Sequence, residues 1–364
     1  MNIEKFKLLL KDQHQKYENY VPASFFILGF LFDIFTLGEI DSFSNILTLG
    51  CYLLLCMGIL LLDFKNISVD TISNLKLQTL WKYREDIFHF SLGALLSAFT
   101  LFYFKSSSFA NSFLFLFVMI GLLLLNEIPT FKKLGVTIRT ALTMLCLISY
   151  LICVIPVLLG TTGHFIFYAC LTLALIISII AFKYLLGIAG VKEQLLKEFL
   201  IPQISVIVVF ALLYIMKVLP PIPLSIQYIG IYHNIVKVDG SYETYEHKPR
   251  WKFWHNGDQD FKASPGDNIF VFTKIFAPGG YTGKIFLHWL KETNTGLQTS
   301  DRIPLNISGG RREGFRGFTF KSNYTEGEWQ VRVETEEGLE VGRISFEVTK
   351  VTSKPNQEPI KQVQ

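Results

Sequence analysis

The densest group of side chains able to bind a charged ligand is the glycine-rich basic segment GGRREGFRG, residues 309–317. It carries three arginines: Arg311, Arg312 and Arg316. Glycines let backbone N–H groups approach a ligand closely, and guanidinium groups bind phosphate or carboxylate through two parallel hydrogen bonds. The segment therefore predicts a site for an anionic lipid head group, an anionic envelope glycan or an acidic patch of a partner protein. The alternative is a tight hairpin whose arginines pair with glutamates on neighbouring strands.

A second group consists of carboxylates around the first long apolar stretch, residues 21–41. Asp33 lies near its far end, and Glu39 and Asp41 follow. A charged side chain at the centre of a bilayer costs about 2.5–3.5 kcal/mol on insertion scales, so Asp33 is a candidate for proton, ion or ligand binding. The alternative is structural, with Asp33 accepting a hydrogen bond from Thr36 or a neighbouring helix. Glu39 and Asp41 either hold a divalent cation, contact the predicted β module in the C-terminal half of the chain or are solvated loop acids.

A third group is aromatic and lies in the C-terminal half. Four tryptophans there could stack against sugar rings, or could instead fill a protein core or contact a membrane: Trp251, Trp254, Trp289 and Trp329. His288 directly precedes Trp289, and we keep this pair as binding candidates together with the arginines.

Sequence motifs of common enzymes are missing. The chain has no Gly-Xaa-Ser-Xaa-Gly elbow, Walker sequence or dinucleotide fingerprint. Its five cysteines lie in the apolar half at spacings that match no thiolate metal site. We therefore predict no metal, no cofactor and no catalytic residues, and a binding function rather than an enzymatic one.

Composition divides the chain into two parts that require different solvents. Half of the 364 residues are hydrophobic and only 18% are charged, which is too apolar for a soluble protein of this size. The apolar runs end near residue 225, and shorter alternating segments follow. Lys and Arg exceed Asp and Glu by only +4 over the whole chain. This small excess excludes the strongly basic surface expected of a nucleic-acid-binding protein.

Long apolar runs predict an α-helical membrane domain at residues 21–219. A membrane-spanning helix needs about 20 mostly apolar residues. Seven stretches qualify: 21–38, 44–62, 87–104, 110–126, 139–160, 164–182 and 201–219. Before them, residues 1–20 alternate lysines with apolar residues, which predicts an amphipathic arm on the cytoplasmic membrane surface.

Charge placement predicts the orientation of these helices. Lys and Arg accumulate in the cytoplasmic loops of multi-pass proteins. If all seven predicted helices cross the membrane, 14 Lys and Arg residues lie on the same side as the N-terminus. Only Lys105 and Lys217 lie on the opposite side. We therefore predict a bacterial inner-membrane protein with a cytoplasmic N-terminus and a periplasmic C-terminal domain.

The hydrophobic period changes from 3.6 to 2 after the proline-rich spacer at residues 220–225. Short alternating segments separated by Gly and Asn turns predict an all-β, immunoglobulin-like antiparallel sandwich at residues 226–350. One of these segments is 250–254. The polar residues 351–364 predict a disordered tail.

Several motifs resemble those of a known family: GFLFDIFTLGEID at 29–41, PPIPLS at 220–225, FAPGG at 276–280, HW at 288–289, GGRREGFRG at 309–317 and GEWQVRVETEEGLEVGRISFEV at 327–348. These residues resemble a family of bacterial inner-membrane proteins whose C-terminal module is catalogued as a domain of unknown function, number 2914. The resemblance implies a multi-spanning membrane region with an exported all-β module, and it implies no particular activity.

Together these patterns predict a periplasmic β-sandwich that binds an envelope component or a partner protein while the helices anchor it in the lipid bilayer. The alternative is a transporter or membrane enzyme with its site at the outer end of the helical bundle around Asp33.

Overall fold

The computed structural model describes residues 30–31, 33–65, 78, 81–127, 135–189, 192–249, 251–308, 314–351 and 359–363. The chain divides into two compact units. The helical unit comprises Met1–Phe102, Phe115–Leu151 and Cys170–Ala211. The other, here called the β unit, comprises Tyr103–Leu114, Ile152–Ala169 and Leu212–Gln364. The β unit thus combines all the strands with three segments from helix ends and the turns next to them.

Long helices follow the predicted apolar runs closely. Those of the described residues are α1 Phe43–Phe64, α2 Arg84–Lys105, α3 Phe109–Glu127, α4 Val136–Leu159, α5 His164–Ala189 and α6 Lys192–Ile215, which contains a π-helical turn at Leu196–Leu200. An α-helix satisfies its own backbone hydrogen bonds, as lipid requires. Large apolar side chains remain exposed along these helices, including Leu54 at 69% and Ile180 at 63%. Such side chains match a hydrocarbon surrounding better than water.

Five helices within the described residues, rather than seven, are long and apolar enough to cross a membrane: α1, α2, α4, α5 and α6. Helix α3 is not among them because its apolar part, Ser112–Asn126, is short. The first predicted span, 21–38, lies mostly outside the described residues, although residues 33–36 are helical. The predicted arm at 1–20 lies wholly outside them.

Several polar side chains inside the helical unit bind one another. Asp63 accepts hydrogen bonds from Arg84 Nε at 3.0 Å and from Arg139 Nη1 at 3.2 Å. His89 Nδ1 lies 3.2 Å from Asn126 Oδ1, and the Asn126 amide donates to the backbone oxygen of His89 at 3.3 Å. Both His89 and Asn126 are buried. These contacts join elements that are far apart in sequence and offset the cost of burying polar groups.

The strands form three sheets. Sheet A has the order β1-β5-β8, sheet B the order β4-β10-β9-β6-β7, and sheet C the order β11-β3-β2. The strands are β1 Ser225–Tyr232, β2 Asn234–Val238, β3 Ser241–Glu246, β4 Asp260–Ala263, β5 Ile269–Phe276, β6 Thr282–Thr293, β7 Gly296–Ser308, β8 Phe315–Lys321, β9 Gly327–Thr335, β10 Glu340–Lys350 and β11 Ile360–Val363.

Sheets A and B enclose one hydrophobic core, so the β domain is a sandwich. Alternate residues of each strand point inward, which explains why Leu287 and Trp289 on β6 are buried while His288 between them is half-buried. Val271 of sheet A and Val331 of sheet B belong to the same buried cluster. The period-2 pattern of the sequence therefore corresponds to a real inner face.

Pairing within sheet B differs from the antiparallel prediction. Strand β4 runs parallel to β10, so the sheet is mixed. Strand β4 begins at Asp260, whereas the sequence predicted a strand at 250–254. Residues 251–254 instead form turns, with Lys252 N donating to Pro249 O and His255 N donating to Lys252 O. Aromatic residues there gave a strand-like pattern although their backbone hydrogen bonds are local.

The C-terminal tail also differs from the prediction of disorder. Residues 360–363 form β11, which pairs antiparallel with β3. Gln362 Nε2 donates to the buried Glu246 carboxylate at 2.7 Å, and Lys361 Nζ pairs with Glu243 at 2.6 Å. Strand β3 offered an unpaired edge that the polar tail could extend, which composition alone did not reveal. Residues 352–358 lie outside the described residues.

Candidate functional site

The predicted acidic candidates fall at one end of the helical unit. Asp33 is half-buried, and its Oδ2 accepts a hydrogen bond from Ser97 Oγ of α2 at 2.5 Å. Glu39 is exposed, and its backbone oxygen accepts from Asn45 Nδ2 at 3.1 Å. Asp41 is half-buried in the turn before α1. Asp33 therefore has the neighbouring-helix partner expected of a structural carboxylate.

Of the three arginine candidates, Arg311 and Arg312 lie outside the described residues. Arg316 is half-buried on β8, where it pairs with Lys274 of β5. Its backbone oxygen accepts a hydrogen bond from the Tyr242 hydroxyl at 3.4 Å.

His288 and Trp289 occupy opposite faces of β6. His288 Nδ1 lies 3.1 Å from Glu334 Oε1, and Nε2 lies 2.8 Å from Thr299 Oγ1. Both imidazole nitrogens are thus occupied within the domain. Trp289 is fully buried in the sandwich core, packed edge-on against Phe346. Adjacent in sequence, the two residues do not share a surface.

The four tryptophans divide into two pairs. Trp289 and Trp329 are core residues, with Trp329 Nε1 donating to Thr325 O at 2.8 Å. Trp251 and Trp254 are 64% and 57% exposed. A sugar-stacking surface from all four is therefore excluded, and only the pair in the segment before β4 remains available.

Strand direction defines two ends of the β domain. Strand β1 leaves the proline spacer at Ser225 and spans eight residues to Tyr232, a rise of about 23 Å. Strand β5 returns antiparallel and ends at Phe276 opposite Ser225. We call the end near Ser225 and Phe276 the helix-facing end, and the end near Tyr232 the distal end.

At the helix-facing end the domain contacts the turns that follow α2 and α4, which belong to the same unit. Thr282 N donates to Gly160 O at 2.8 Å, and the Thr162 and Tyr281 hydroxyls lie 3.0 Å apart. The buried Ser108 hydroxyl donates to the carboxylate of buried Glu340.

The fit at this end is close enough to require glycine. Gly160 has φ +66°, and a Cβ there would lie 2.6 Å from Gly280 O. A Cβ on Gly163 would lie 2.7 Å from Glu337 Oε1. The helix-facing end is therefore filled by the chain's own residues.

The distal end instead contains an open cleft of about 330 Å³. Its walls come from His233 after β1, from residues 247–249 and 251–252 after β3, and from residues between 255 and 262 around β4. The lining side chains are His233, His247, Lys248, Pro249, Trp251, Lys252, His255, Asp258, Gln259, Asp260 and Lys262. This volume lies within the range of about 300–1,000 Å³ of small-molecule sites. A second cavity of about 410 Å³, lined by Asp267, Tyr324 and Lys350 among others, opens nearby.

Histidines and carboxylates form the floor of the cleft. His233 stacks on Phe261 at 4.1 Å between ring centres, with its Nε2 3.5 Å from Asp258 Oδ2 and its Nδ1 3.5 Å from Asp267 Oδ2. The backbone N–H of His247 donates to Asp258 Oδ2 at 2.8 Å. His247 Nδ1 is buried and has no hydrogen-bond partner among the described residues.

Burial reduces the charge of this floor. Desolvation lowers the pKa of His233 to about 4, and the adjacent His247 adds to that effect. Desolvation also lowers the pKa of His247. It raises the pKa of Asp258 to about 7, despite the hydrogen bond from His247. Near neutral pH both imidazoles are uncharged, so the His233 contacts with carboxylates are polar contacts rather than ion pairs.

The rim of the cleft is aromatic and cationic. Phe253 is 83% exposed, and its ring lies edge-on to Trp254 at 5.1 Å. Trp251 and Trp254 are 5.6 Å apart. Lys252 pairs with Asp260 and lies over the Trp251 ring at 5.3 Å. Rings with free faces beside a polar cleft can hold a ligand that has both apolar faces and hydroxyl groups.

Sequence reasoning missed the cleft, although it named two of its tryptophans. The available signal was the segment HKPRWKFWHNGDQD at 247–260, which combines aromatic, basic and histidine residues. His233, 14 residues earlier, could not be linked to that segment without the pairing of β2 with β3. Among the described residues, no group of three or more His, Cys, Asp or Glu is placed to hold a metal ion.

Comparison with known proteins covers part of the β domain. Residues 282–348 match the model of the family described as "Protein of unknown function (DUF2914)". The DUF2914 match runs from β6 to β10 and confirms the resemblance for that segment. It includes His288, Trp289 and the arginine segment, whereas the cleft residues precede it. No curated protein matches the chain.

Two solved structures show weak similarity. An immunoglobulin-like protein from Pseudomonas aeruginosa is 13% identical, with 35% of this chain and 96% of that chain covered and a TM-score of 0.22. The Pseudomonas fluorescens alkylpurine DNA glycosylase AlkC bound to DNA containing an abasic site analogue is 11% identical, with coverages of 85% and 99% and a TM-score of 0.22. Scores this low support no argument about fold or activity.

Proposed function

We propose that the chain is a bacterial inner-membrane protein whose periplasmic β domain binds an envelope component or a partner protein at the distal end. In this proposal the N-terminus is cytoplasmic, and the apolar helices anchor the domain in the bilayer. The family match to a domain of unknown function is compatible with this role and assigns no activity.

Two observations support the topology. The turns after α2 and α4 and the end of α6 all belong to the unit that contains the β domain. Alternate helix ends on one side are what successive membrane crossings produce. The same side carries few basic residues, Lys105 and Lys217, as expected for a non-cytoplasmic face.

The observation that carries the binding function is the high exposure of three large aromatic side chains at the distal end. Phe253 and the two nearby tryptophans expose most of their surface beside an open polar cleft. Large exposed aromatic side chains in a cluster indicate an interaction surface. This surface lies one strand length, about 23 Å, from the helix-facing end. The ligand is therefore expected away from the membrane surface rather than within the lipid.

Capture of envelope material tests this function. The full-length protein in detergent is incubated with purified cell-wall glycan and, separately, with periplasmic protein extract. The double variant Trp251→Ala, Trp254→Ala should lose the bound material and keep the thermal unfolding temperature of the wild type. Phe320→Ala is the matched control, because Phe320 is 54% exposed but lies on β8 outside the cleft. Equal capture by both variants would contradict the proposal.

A reporter fusion tests the orientation. An enzyme active only in the periplasm, fused after Val351, should be active in cells. The same enzyme fused after Lys65, which ends α1, should be inactive, because that turn lies on the cytoplasmic side in the proposal. The reverse pattern would mean that the helix count differs by one.

A second candidate function, transport or membrane catalysis near Asp33, has one supporting observation. The Asp33 carboxylate lies in a helix and is held by Ser97 of α2. Asp33→Asn keeps an acceptor for Ser97 but removes the charge. Loss of a cellular phenotype at unchanged membrane abundance would favour this candidate, and an unchanged phenotype would favour a structural carboxylate.

A further inference from the structure

We propose that the distal cleft binds an acidic polysaccharide, with sugar rings stacked on Trp251 and Trp254 and sugar carboxylates facing the lysines of the rim. The inference rests on the proposed binding function and specifies its ligand class. It follows from the aromatic rim, the two neutral imidazoles in the cleft floor, the position of unpaired positive charge and the distance from the helix-facing end.

The aromatic rim suits sugar rings. A pyranose ring has one face of C–H groups, which packs on the face of an aromatic ring, while its hydroxyls point outward. Trp251 and Trp254 lie 5.6 Å apart at an interplanar angle of 68°. With Phe253 at 5.1 Å from Trp254 and nearly perpendicular to it, the rim presents ring faces in different directions. Such a set can contact successive units of a chain that twists along its length.

The cleft floor suits hydroxyl groups. A neutral imidazole has one donor and one acceptor nitrogen, which matches a hydroxyl that both donates and accepts. His233 and His247 are held neutral by burial. His247 Nδ1 still lacks a partner among the described residues. A buried polar atom without a partner is costly in a folded protein, and a bound hydroxyl would satisfy it.

Positive charge favours an acidic ligand. Three lysines line the cleft: Lys248, Lys252 and Lys262. Lys252 is paired with Asp260, and Lys248 Nζ donates to His255 O at 2.8 Å. Lys262 is exposed and makes no ion pair within the described part of the chain. Lys248 Nζ also lies 4.0 Å from the Glu246 carboxylate, and the remaining carboxyl of the cleft, Asp258, is buried and about half protonated near neutral pH. The rim therefore keeps charge available for carboxylates of a ligand.

Other ligand classes fit less well. Three exposed aromatic residues beside a polar cleft form too small an apolar surface for the core of a standard protein interface, which buries about 800 Å² per partner. Insertion of the rim into the bilayer that holds the helices is disfavoured, because the rim lies at the distal end. A small soluble metabolite would fill the cleft and make no contact with the aromatic rim outside it.

Matched oligosaccharides test the inference. Full-length protein in detergent is titrated with oligogalacturonate and with maltooligosaccharide of equal length, and the heat of binding is recorded by calorimetry. Only the acidic oligosaccharide should bind tightly. Trp251→Ala with Trp254→Ala should weaken binding at least about tenfold, the size of one or two lost stacking contacts. Lys262→Gln should weaken it about threefold and reduce its sensitivity to salt.

Outcomes separate the inference from the proposed function. Equal affinity for neutral and acidic oligosaccharides would overturn the acidic preference. Absence of glycan binding, combined with tryptophan-dependent capture of periplasmic protein, would overturn the inference and leave the proposed function standing. No capture of any envelope material would overturn both. Phe320→Ala, folded and outside the cleft, must bind oligogalacturonate as the wild type does.

Discussion

The two ends of the β domain differ in packing: the helix-facing end is closely packed, and the distal end is open. At the helix-facing end, glycines and small hydroxyl side chains bring backbones together, and Tyr281 is 2% exposed. At the distal end, Phe253 is 83% exposed and a cleft of about 330 Å³ stays open. Both ends are built from loops between strands of the same sandwich. The difference shows which surface the chain occupies itself and which it leaves to a ligand.

Polar groups show the same contrast. Ser108, Thr162 and Thr282 at the helix-facing end all have partners inside the β unit. The distal cleft leaves His247 Nδ1 without one among the described residues. It also holds Asp258, whose raised pKa reflects a carboxyl buried without full compensation. Buried polar groups without partners and side chains with strongly shifted pKa values are more common at functional sites than in structural contacts.

The largest effect is expected when the core tryptophan is compared with its exposed counterpart. Trp289→Ala should lower the free energy of unfolding by about 3–5 kcal/mol, because a fully buried indole leaves a cavity. Trp254→Ala should change it by no more than about 0.5 kcal/mol. Thermal or denaturant unfolding of the full-length protein measures both. Similar losses from the two variants would mean that Trp254 is also structural.

The next effect concerns the close fit at the helix-facing end. Gly160→Ala should lower stability by about 2–4 kcal/mol, because it combines positive φ with a Cβ 2.6 Å from Gly280 O. Gly280→Ala is matched, with φ +74° and nothing within 4 Å of its Cβ, and should cost only about 1–2 kcal/mol. Hydrogen exchange at the Thr282 amide, which donates to Gly160 O, should accelerate in the first variant alone. Equal exchange in both would contradict the contact.

A smaller effect is expected for the serine that reaches Glu340. Ser108→Ala should lower stability by about 1.5–3 kcal/mol, the range for a hydrogen bond to a charged group. Ser107→Ala is the control, since its hydroxyl donates only to the nearby Phe104 O at 2.9 Å. Thermal unfolding of both variants measures the difference. If Ser107→Ala were the more harmful change, the Glu340 contact would not matter for stability.

The smallest effect is pH-dependent and belongs to the distal end. The Asp258 pKa is raised from 3.8 to about 7, so between these pH values the folded chain keeps a proton that the unfolded chain releases. Stability from this group therefore falls as pH rises through that window and stays low above it. Asp258→Asn removes the penalty, and should become more stable than the wild type by about 1–3 kcal/mol as pH rises to about 7.

A pH series of unfolding temperatures for the wild type and Asp258→Asn checks this. His233 has the opposite dependence, because its lowered pKa makes its contribution rise with pH between about 4 and 6.5. In the wild type the two trends oppose each other, and in the variant the Asp258 trend is absent while the histidine trend, to which the lowered pKa of His247 also contributes, remains. Parallel pH curves for the two proteins would refute the buried, protonated state of Asp258.

Hydrophobic periodicity predicted most of the helices and strands, because the burial of one face of each element sets the spacing of its apolar residues. The apolar run at 44–62 corresponds to α1 at Phe43–Phe64, and the alternation at 328–335 corresponds to β9 at Gly327–Thr335. The pairing of the strands could not be predicted in the same way. The parallel alignment of β4 with β10 and the return of β11 to β3 depend on which strand edges are free in three dimensions, and sequence patterns do not record this.

The candidate site could be predicted only in part from the sequence, for the same reason. Trp251, Trp254 and Trp289 look alike in the sequence, yet the first two are exposed and the third is buried. His288 was named beside Trp289, although alternation along β6 places the two on opposite faces. The cleft joins His233 to residues more than ten positions away through the corner between β1 and β2.

In-cell photo-cross-linking tests the central claim most directly, namely that the aromatic rim of the distal cleft is where the β domain meets its ligand. A benzophenone amino acid replaces Phe253, which is 83% exposed, in one strain and Phe320, which is 54% exposed and lies outside the cleft, in another. The account predicts a cross-linked envelope adduct from position 253 and none from position 320. No adduct at 253, or equal adducts at both positions, would contradict it.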